Sequence, residues 1–386
     1  MEKVKKTTIS VFYESTDITQ EINADLLSFR YEDQCEDEAD SVSITLKDET
    51  GKWAGSWSPD RGAKIKCSIK TADDLSLDTG LMVIDTMSVQ GAPRTFDFQA
   101  ISIPLDTTIR RTAKSRKYEN VDLKTIARDI ARDGKLELFF DSAENPEYDK
   151  IDQLNESDLK FLQRLCKESG LSVKVNSEML IIFDQLSYEK KDPILFYGLG
   201  VSKILRWSFQ AQQSQRYRAC TVKWRNLDKK TVTLPTAPAT VKTIQAITAK
   251  ETETNNGEVD LSWENRPKVD KKKVKGPVKR KPEELEYTYV DESVDPTGQV
   301  FLLKKRCTSL KDAQRLAKNK LRELNLRQTT GSLSVIGDPR IYAGTVVELW
   351  GFGSFDGNFI VESATHTINS SGYITDMELR RCNNRY

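Results

Sequence analysis

The sequence is poor in the groups that enzymes use for acid–base and metal chemistry. It contains one histidine, His366, so a Ser-His-Asp or Cys-His arrangement would have to be built around that side chain. A metal site with several histidine ligands is impossible. The nucleophile-elbow, phosphate-loop, dinucleotide and zinc-protease motifs are absent, and Gly351, Gly353 and Gly357 lie between strand-like segments, which predicts a turn. We therefore predict no catalytic, cofactor-binding or metal-binding residues, and no enzyme.

Long apolar runs and a strong net charge are missing as well. No run of eighteen apolar residues occurs, and the N-terminal stretch MEKVKKTTIS lacks the apolar core of a signal peptide. We expect a chain that does not insert into a membrane and that is kept in a cytoplasm or leaves it by lysis. The net charge of +1 creates no long-range field, so bulk attraction to nucleic acid or to a membrane is not indicated.

The cysteines show no pattern that would suit a disulfide framework or a zinc site. They are scattered, and no Cys-x-x-Cys pair occurs among them. Several fall on predicted apolar faces, which favours buried free thiols. The six are Cys35, Cys67, Cys166, Cys220, Cys307 and Cys382.

The chain does contain alternating apolar and polar residues over most of its N-terminal hundred positions. A length of 386 residues with 38% apolar content predicts a soluble protein of two to four domains. Across residues 8–103, runs such as Val42, Ile44 and Leu46 alternate with polar residues, which predicts antiparallel strands with one wet face. The loop at 52–60 carries two tryptophans. It is interpreted either as a lid over a barrel mouth or as a subunit contact.

Helical spacing begins after residues 104–117, which we predict to be a basic linker. Asp122 can cap a helix that ends at Gly134. That helix and the strand-like residues 136–140 are similar to a LysM peptidoglycan-binding unit over about a dozen positions of common helical pattern. Structural packing is the interpretation that we favour.

A second helix is predicted to begin near residues 155–158 and to end at Gly170, where a left-handed residue suits the C-terminal cap. Glu156, Asp158 and Glu168 could be paired as a catalytic acid and base. Near a helix N-terminus, however, Glu156 and Asp158 complement the helix dipole and the capping requirement. We favour this structural role.

Strands resume at 204–225, followed by an interruption that contains the most biased segment of the chain. Residues 266–282 hold nine basic residues, one acid and three prolines, so they cannot form a core and are predicted to be a mobile loop. One interpretation is an electrostatic contact with nucleic acid, an anionic cell-wall polymer or an acidic neighbour. The other is a solvated excursion from a large assembly.

The C-terminal block combines a capped helix with short strands and glycine turns. Ser309 and Asp312 form a capping pattern at the start of a helix. The order that follows is strand, Asp-Pro turn, Gly-x-x-Val strand, glycine turn, a strand bearing His366 and a final hairpin. This order, together with the segment ESDLKFLQRLCKESGLSVKV at 156–175, resembles the phage late control protein D family. We interpret His366 as structural.

The resemblance implies a fold and a division of the chain. Members of that family are hub proteins of contractile-tail baseplates, related in fold to the T4 baseplate hub and to the first part of type VI secretion spike proteins. The implied fold class is α+β and β-dominated, with two tube-like antiparallel β-barrel domains, an α/β insertion and a mobile basic loop. The implied domains are a first barrel at 1–106, the α/β insertion at 107–200, a second barrel at 201–228 and 301–386 with a helix at 309–325, and a further insertion at 229–300 with the flexible Lys-rich loop 266–282.

The resemblance also implies a function. The family suggests a structural hub, a homotrimer that joins a hexameric tail tube to a trimeric central spike and lines the channel. Implied partners are a tail tube protein or tube initiator, the central spike, baseplate wedge proteins and the tape measure protein. The expected location is the bacterial cytoplasm during assembly and then the tail baseplate of a phage, a phage-tail-like bacteriocin or another contractile injection system. The alternative is a tail-associated cell-wall hydrolase, or a module that binds peptidoglycan or DNA.

Overall fold

The protein is a strand-rich α+β chain, and this predicted class is confirmed. The computed structural model describes residues 7–35, 39–102, 108–176, 178–212, 216–226, 283–305, 307 and 309–383. Within these residues, most of the regular structure is strand and the helices are few. The predicted Lys-rich loop at 266–282 lies outside the described residues.

The N-terminal strands curl around one apolar core. Alternation explains the core, because Val42, Ile44 and Leu46 are fully buried while the residues between them face the other side of the strand. Neighbouring strands run in the order β3-β4-β7-β6-β5-β1-β2, all antiparallel. The elements are β1 (Thr7–Tyr13), β2 (Thr16–Asp17), α1 (Thr19–Asp25), β3 (Leu26–Gln34), β4 (Ser41–Lys47), β5 (Lys64–Thr71), β6 (Ser76–Gln90) and β7 (Thr95–Ile101).

Helix α1 covers the outer edge of β1. Asn23 Nδ2 donates to the carbonyl of Ile9 over 2.9 Å, and the amide of Val11 donates to Thr19 Oγ1 over 2.9 Å. The Val11 carbonyl accepts from the Ile18 amide at 3.0 Å. These bonds use backbone groups that an added strand would need, so this edge of the sheet is closed.

A middle unit of short strands and helices follows. Both helix starts that the sequence predicts are confirmed: Asp122 accepts from the Thr125 amide, and Ser157 accepts from the Lys160 amide. Helices α3 and α4 bury one apolar core between them and the strands. The elements are α2 (Thr108–Arg111), β8 (Ala113–Asp122), α3 (Leu123–Asp133), β9 (Glu137–Asp141), β10 (Glu147–Ser157), α4 (Asp158–Ser169), β11 (Leu171–Val175), β12 (Met179–Asp184) and α5 (Gln185–Glu189).

The prediction of a basic linker at 104–117 is wrong for its described part. Residues 108–117 form α2 and the first half of β8. Charge pairing explains the difference, because the Lys114 ammonium lies 2.5 Å from Asp158 and the Arg116 guanidinium lies 2.6 Å from Asp133. Basic residues that look solvated in the sequence are therefore partners of acidic residues on α3 and α4.

The C-terminal strands surround a second apolar core, and helix α6 begins at the predicted cap, with Ser309 accepting from the Asp312 amide. Strands β14, β18, β21 and β20 are successive antiparallel neighbours, while β19 pairs with both β20 and β13. The elements are β13 (Leu195–Gly198), β14 (Ile204–Ala211), β15 (Tyr217–Asn226), β16 (Glu283–Val290), β17 (Gln299–Lys304), α6 (Leu310–Asn325), β18 (Thr329–Ile336), β19 (Val346–Trp350), β20 (Gly357–Asn369) and β21 (Gly372–Arg381).

One ladder joins the N-terminal and C-terminal strands into a continuous sheet. The second half of β20 pairs antiparallel with β3, from Ser363 opposite Gln34 to Asn369 opposite Ser28. The resulting thirteen-stranded sheet runs from β14 at one edge to β2 at the other. The first and last parts of the chain are thus neighbours in space.

Strand β15 does not belong to the β unit in which the sequence placed it. It pairs with β16 and β17 in a separate three-stranded sheet, rather than joining β14 in the large sheet. Its apolar face, with Val222 and Trp224, packs on Ala313 and Leu316 of α6. Alternating apolar and polar residues predict a half-buried strand, but they do not predict which strands pair with it. Here the paired strands lie within residues 283–304. The division into two tube-like barrels stays a prediction.

Candidate functional site

His366 is a buried structural residue at the join between the two cores. Its Nε2 lies 2.9 Å from the Ile341 carbonyl, which can only accept, so Nε2 carries the proton and Nδ1 accepts from the Tyr373 hydroxyl at 2.7 Å. The ring lies against that of Tyr31 on β3, with centroids 6.0 Å apart. Burial lowers the pKa of His366 to about 4. The neutral ring of His366, on β20, therefore packs beside Tyr31 on the neighbouring strand β3, where the two groups of strands meet.

The three carboxylates considered as an acid–base pair are each bound to a basic side chain. Asp158 is fully buried with its Lys114 ion pair and accepts from Gln153 Nε2 at 2.8 Å. The Arg164 guanidinium donates to the Glu156 carboxylate over 2.6 Å. Glu168 pairs with the ammonium of Lys305. Each of the three carboxylates therefore has a basic partner within the described fold.

None of the six cysteines forms a disulfide, and burial shields the four inner thiols from solvent. Cys67, Cys166, Cys220 and Cys307 are buried, and burial raises the pKa of the Cys220 thiol to about 11 and that of Cys307 to about 12. No group of three or more metal-ligating side chains occurs among the described residues. None of the described helices is long and apolar enough to cross a membrane.

Lys174 connects the middle unit to the large sheet. Its ammonium lies 2.9 Å from Asp33 Oδ1, 2.9 Å from Asp40 Oδ1 and 2.6 Å from the Gln34 carbonyl. The other Asp33 oxygen accepts from the Ala343 amide at 2.8 Å. One buried cation on β11 therefore fixes the turn after β3 and the loop before β19 at once.

A second buried network connects α5, α6 and β21. Glu189 accepts from Arg322 at 2.8 Å and from Arg380 at 3.0 Å, while Arg380 Nε also reaches Glu362 at 2.9 Å. The amide of Asn383 donates to the second Glu189 oxygen at 3.0 Å. The sequence gives no signal for either network, since each residue occupies an ordinary polar position in its local pattern.

The tryptophan loop has one buried and one half-exposed indole, so both interpretations of it retain a structural basis. Trp53 is buried and donates from Nε1 to Asp25 at 2.7 Å, which anchors the loop as a lid on the N-terminal core. Trp57 is 45% exposed, and the Lys52 ammonium lies 4.4 Å from its ring centroid. A cavity of about 360 Å³ opens beneath it.

The large sheet has one continuous polar face. Opposite the cores, the side chains are mostly Ser, Thr and charged groups that pair with one another across strands. Arg206 lies 3.6 Å from Asp376, and Thr45 donates to Asp97 at 2.6 Å. A single row across six strands, in register order, is Arg206, Ser334, Asp376, Thr365, Glu32 and Ser41.

Several known proteins are similar to this chain in sequence or in fold. The probable baseplate hub protein of Escherichia phage 186 is 25% identical over 376 residues, which cover 95% of this chain and 90% of that protein. The 43 kDa tail protein of prophage MuSo2 from Shewanella oneidensis has a TM-score of 0.64 at 11% identity, covering 97% of this chain and 98% of that one.

A component of the type VI secretion system, the E. coli c3393 protein, has a TM-score of 0.53 at 13% identity. The match covers 99% of this chain and 78% of that one, and its description reports structural similarity to the T4 bacteriophage tail proteins gp27 and gp5. Residues 83–372 match the family described as phage tail baseplate hub (GPD). The resemblance seen in the sequence is thereby confirmed, and the chain belongs to the phage tail baseplate hub family.

Proposed function

We propose that the protein is a homotrimeric adaptor at the centre of a contractile-tail baseplate, which joins a hexameric tail tube to a trimeric central spike. The observation that carries the proposal is the continuous sheet, in which an N-terminal and a C-terminal group of strands, each with its own core, share one polar face. Three copies present six such groups of strands. A ring of three chains can therefore contact the six-fold tail tube on one side and the three-fold spike on the other.

The polar face is the part of this hub that lines the channel. Its charges are satisfied by neighbours on the same face, as in the pairs Arg206–Asp376 and Lys66–Asp78. Exposed apolar side chains on this face, such as Phe12 and Ile336, are separated by charges and hydroxyls, so the wall offers a passing polymer little continuous surface to bind. The two apolar cores stay turned away from the channel.

The proposed partners follow from this position. They are a tail tube protein or tube initiator above, the central spike below, baseplate wedge proteins around the outside and the tape measure protein in the channel. The chain is assembled in the bacterial cytoplasm and then resides in the tail baseplate of the released particle. Cryo-electron microscopy of the particle tests the proposal: one trimeric ring with two strand groups per chain around the channel supports it. Six copies per ring would refute it.

We further propose that the hub performs no hydrolysis. The ion pairs of Glu156 and Glu168 support this, as does the full burial of His366 with both ring nitrogens hydrogen-bonded inside the fold. Zymography on cell wall with the purified chain should show no clearing, and Glu156→Gln and Glu168→Gln should change nothing. Clearing by the wild type that either substitution abolishes would establish the hydrolase alternative.

A further inference from the structure

The N-terminal group of strands carries an open apolar cavity. We call it the Trp57 pocket; its volume is about 360 Å³. It reaches the core, because Ile22, Ile65 and Phe98, which line it, are buried core residues. Trp57 stands half-exposed at its rim. The pocket is large enough for one or two apolar side chains and has few polar groups in its wall.

The C-terminal group of strands carries a protruding apolar surface. This aromatic strip consists of Phe196, Leu199, Val201 and Trp350, which are 59%, 40%, 72% and 45% exposed. Phe196 shares a face of the β13–β19 pair with Trp350, the Trp350 ring covers Gly198, and the Leu199 amide donates to the Trp350 carbonyl at 3.1 Å. Val201 follows in the same turn, where its amide donates to the Gly198 carbonyl at 3.2 Å. Contiguous exposed patches of this kind mark contact surfaces.

Charge distinguishes the two surfaces. Glu348 lies on the same face of β19 as Trp350, opposite Phe196, and forms no ion pair or side-chain hydrogen bond within the described part of the chain. At the rim of the pocket, the Lys52 ammonium lies 4.6 Å from the Trp53 ring centroid and 4.4 Å from the Trp57 ring centroid, and it forms an ion pair of 3.5 Å with Asp25. The Lys52 side chain is still 32% exposed, so a second carboxylate can reach it. The unpaired carboxylate beside the protruding surface therefore complements an accessible ammonium beside the concave one, which fixes orientation in a contact.

We propose that the aromatic strip of one copy seats in the Trp57 pocket of the next copy, with Glu348 facing Lys52 of its neighbour. This contact presupposes the homotrimeric hub that is proposed above as the function of the protein. A contact between two different surfaces is head-to-tail, and such contacts generate a ring when the rotation closes. Each contact places a C-terminal group of strands beside an N-terminal group, so three contacts alternate the two kinds around the ring.

Disulfide trapping in the full-length protein and in assembled particles tests the contact. Ser56 lines the pocket and Val201 is the most exposed strip residue. All variants also carry Cys35→Ser and Cys382→Ser, because these two native thiols are only partly buried. Under a mild oxidant, a chain carrying both Ser56→Cys and Val201→Cys should give covalent dimers and closed trimers. A mixture of the two single variants should stop at dimers, and neither variant alone should cross-link. Cross-linking by one variant alone would show a symmetric contact and overturn the proposal.

A complementation experiment gives an independent result. Trp57→Asp and Val201→Asp should each weaken self-association at least about tenfold, measured by sedimentation, since buried aromatic and apolar anchors dominate such contacts. Mixed in equal amounts, the two variants keep one intact contact and should form heterodimers that grow no further. Leu154→Asp is the matched control, because Leu154 is also 72% exposed but lies on β10, outside both surfaces.

The outcomes separate the contact from the hub. If the chain forms a trimer in the particle but the double-cysteine variant gives no cross-link between positions 56 and 201, or links position 201 to a different protein, the pocket contact is overturned and the proposed function stands. A particle that contains no trimer of this chain would refute the proposed function itself.

Discussion

The guanidinium of Arg380 donates to Glu189 over 3.0 Å, and only 2% of the Arg380 side chain and none of the Glu189 side chain is exposed. Burial acts to lower the pKa of Arg380, and the carboxylates of Glu189 and Glu362 raise it, with the net shift upward. The charge of Arg380 therefore survives burial because it is paired. The pair ties α5, at the end of the middle unit, to the last strand of the sheet.

Removing one partner of that pair should destabilise the fold strongly. Arg380→Met leaves Glu189 buried with only Arg322 as an ionic partner, and we expect the free energy of unfolding to fall by about 3–5 kcal/mol. Urea unfolding followed by circular dichroism measures the change. Arg340→Met is the control, because its pair with Asp338 is 55% exposed on the arginine side and should matter by only about 0–1 kcal/mol. Equal effects of the two substitutions would contradict the prediction.

Gly170 should be the more sensitive of two left-handed glycines. It has a φ of 75° at the end of α4, and a Cβ there would lie 2.8 Å from Asn319 Oδ1 on α6. Gly200, with a φ of 82°, has nothing within 4 Å of its Cβ position. Gly200→Ala should cost about 1–2 kcal/mol from backbone strain alone, and Gly170→Ala should cost more because the α4–α6 contact must also shift. Thermal unfolding of both variants measures the two losses of stability. A larger loss of stability for Gly200→Ala than for Gly170→Ala would contradict the prediction.

Local signals in the sequence predicted local structure well. Asp122, Ser157 and Ser309 cap α3, α4 and α6, because a cap is decided by a side chain and amides two or three positions away. The partner of β15 could not be predicted in the same way. Its neighbours, β16 and β17, lie some sixty to eighty positions further along the chain, and alternation specifies a face rather than a partner.

The buried ion networks were invisible for the same reason. Lys174 follows Val173 in a strand where the pattern assigns it to the wet side. It is nevertheless buried by Asp33 and Asp40, which lie more than 130 positions earlier. The structural role of His366, by contrast, was suggested by the lack of any accompanying nucleophile or acid, and its hydrogen bonds to Ile341 and Tyr373 agree with that interpretation.

His366 should make the fold sensitive to acid. Its pKa is lowered from 6.5 to about 4 by burial, so the folded state favours the neutral ring. The stabilisation is complete above pH 6.5 and is lost as the pH falls through about 4, on the order of 3 kcal/mol in total. His366→Gln keeps an amide near the Ile341 carbonyl but cannot titrate. We expect the thermal midpoint of the wild type to fall more steeply between pH 6.5 and 4 than that of His366→Gln. Parallel curves would disprove this.

Asp40 should act in the opposite direction over nearly the same pH range. Burial raises its pKa from 3.8 to about 6, with the charge of Asp33 adding to the shift and Lys174 opposing it. The folded state therefore favours the protonated acid, and this stabilisation is complete below pH 3.8 and lost as the pH rises through about 6. Between pH 6 and 4, Asp40 gains stability on acidification while His366 loses it, so the wild type shows only the difference.

The two variants separate these contributions. Asp40→Asn preserves an oxygen for the Gln34 amide, which donates to Asp40 at 3.0 Å, but removes the titration. Its thermal midpoint should fall more steeply with acid than that of the wild type, because the loss at His366 is no longer offset. His366→Gln should show the reverse, with a midpoint that falls less steeply than that of the wild type between pH 6 and 4. The slope of the double variant should lie between those of the two single variants, since it lacks both contributions and keeps only that of the other carboxyl groups. If Asp40→Asn instead flattened the wild-type curve, the Asp40 carboxyl would be ionised in the fold, and Lys174 rather than burial would control its pKa.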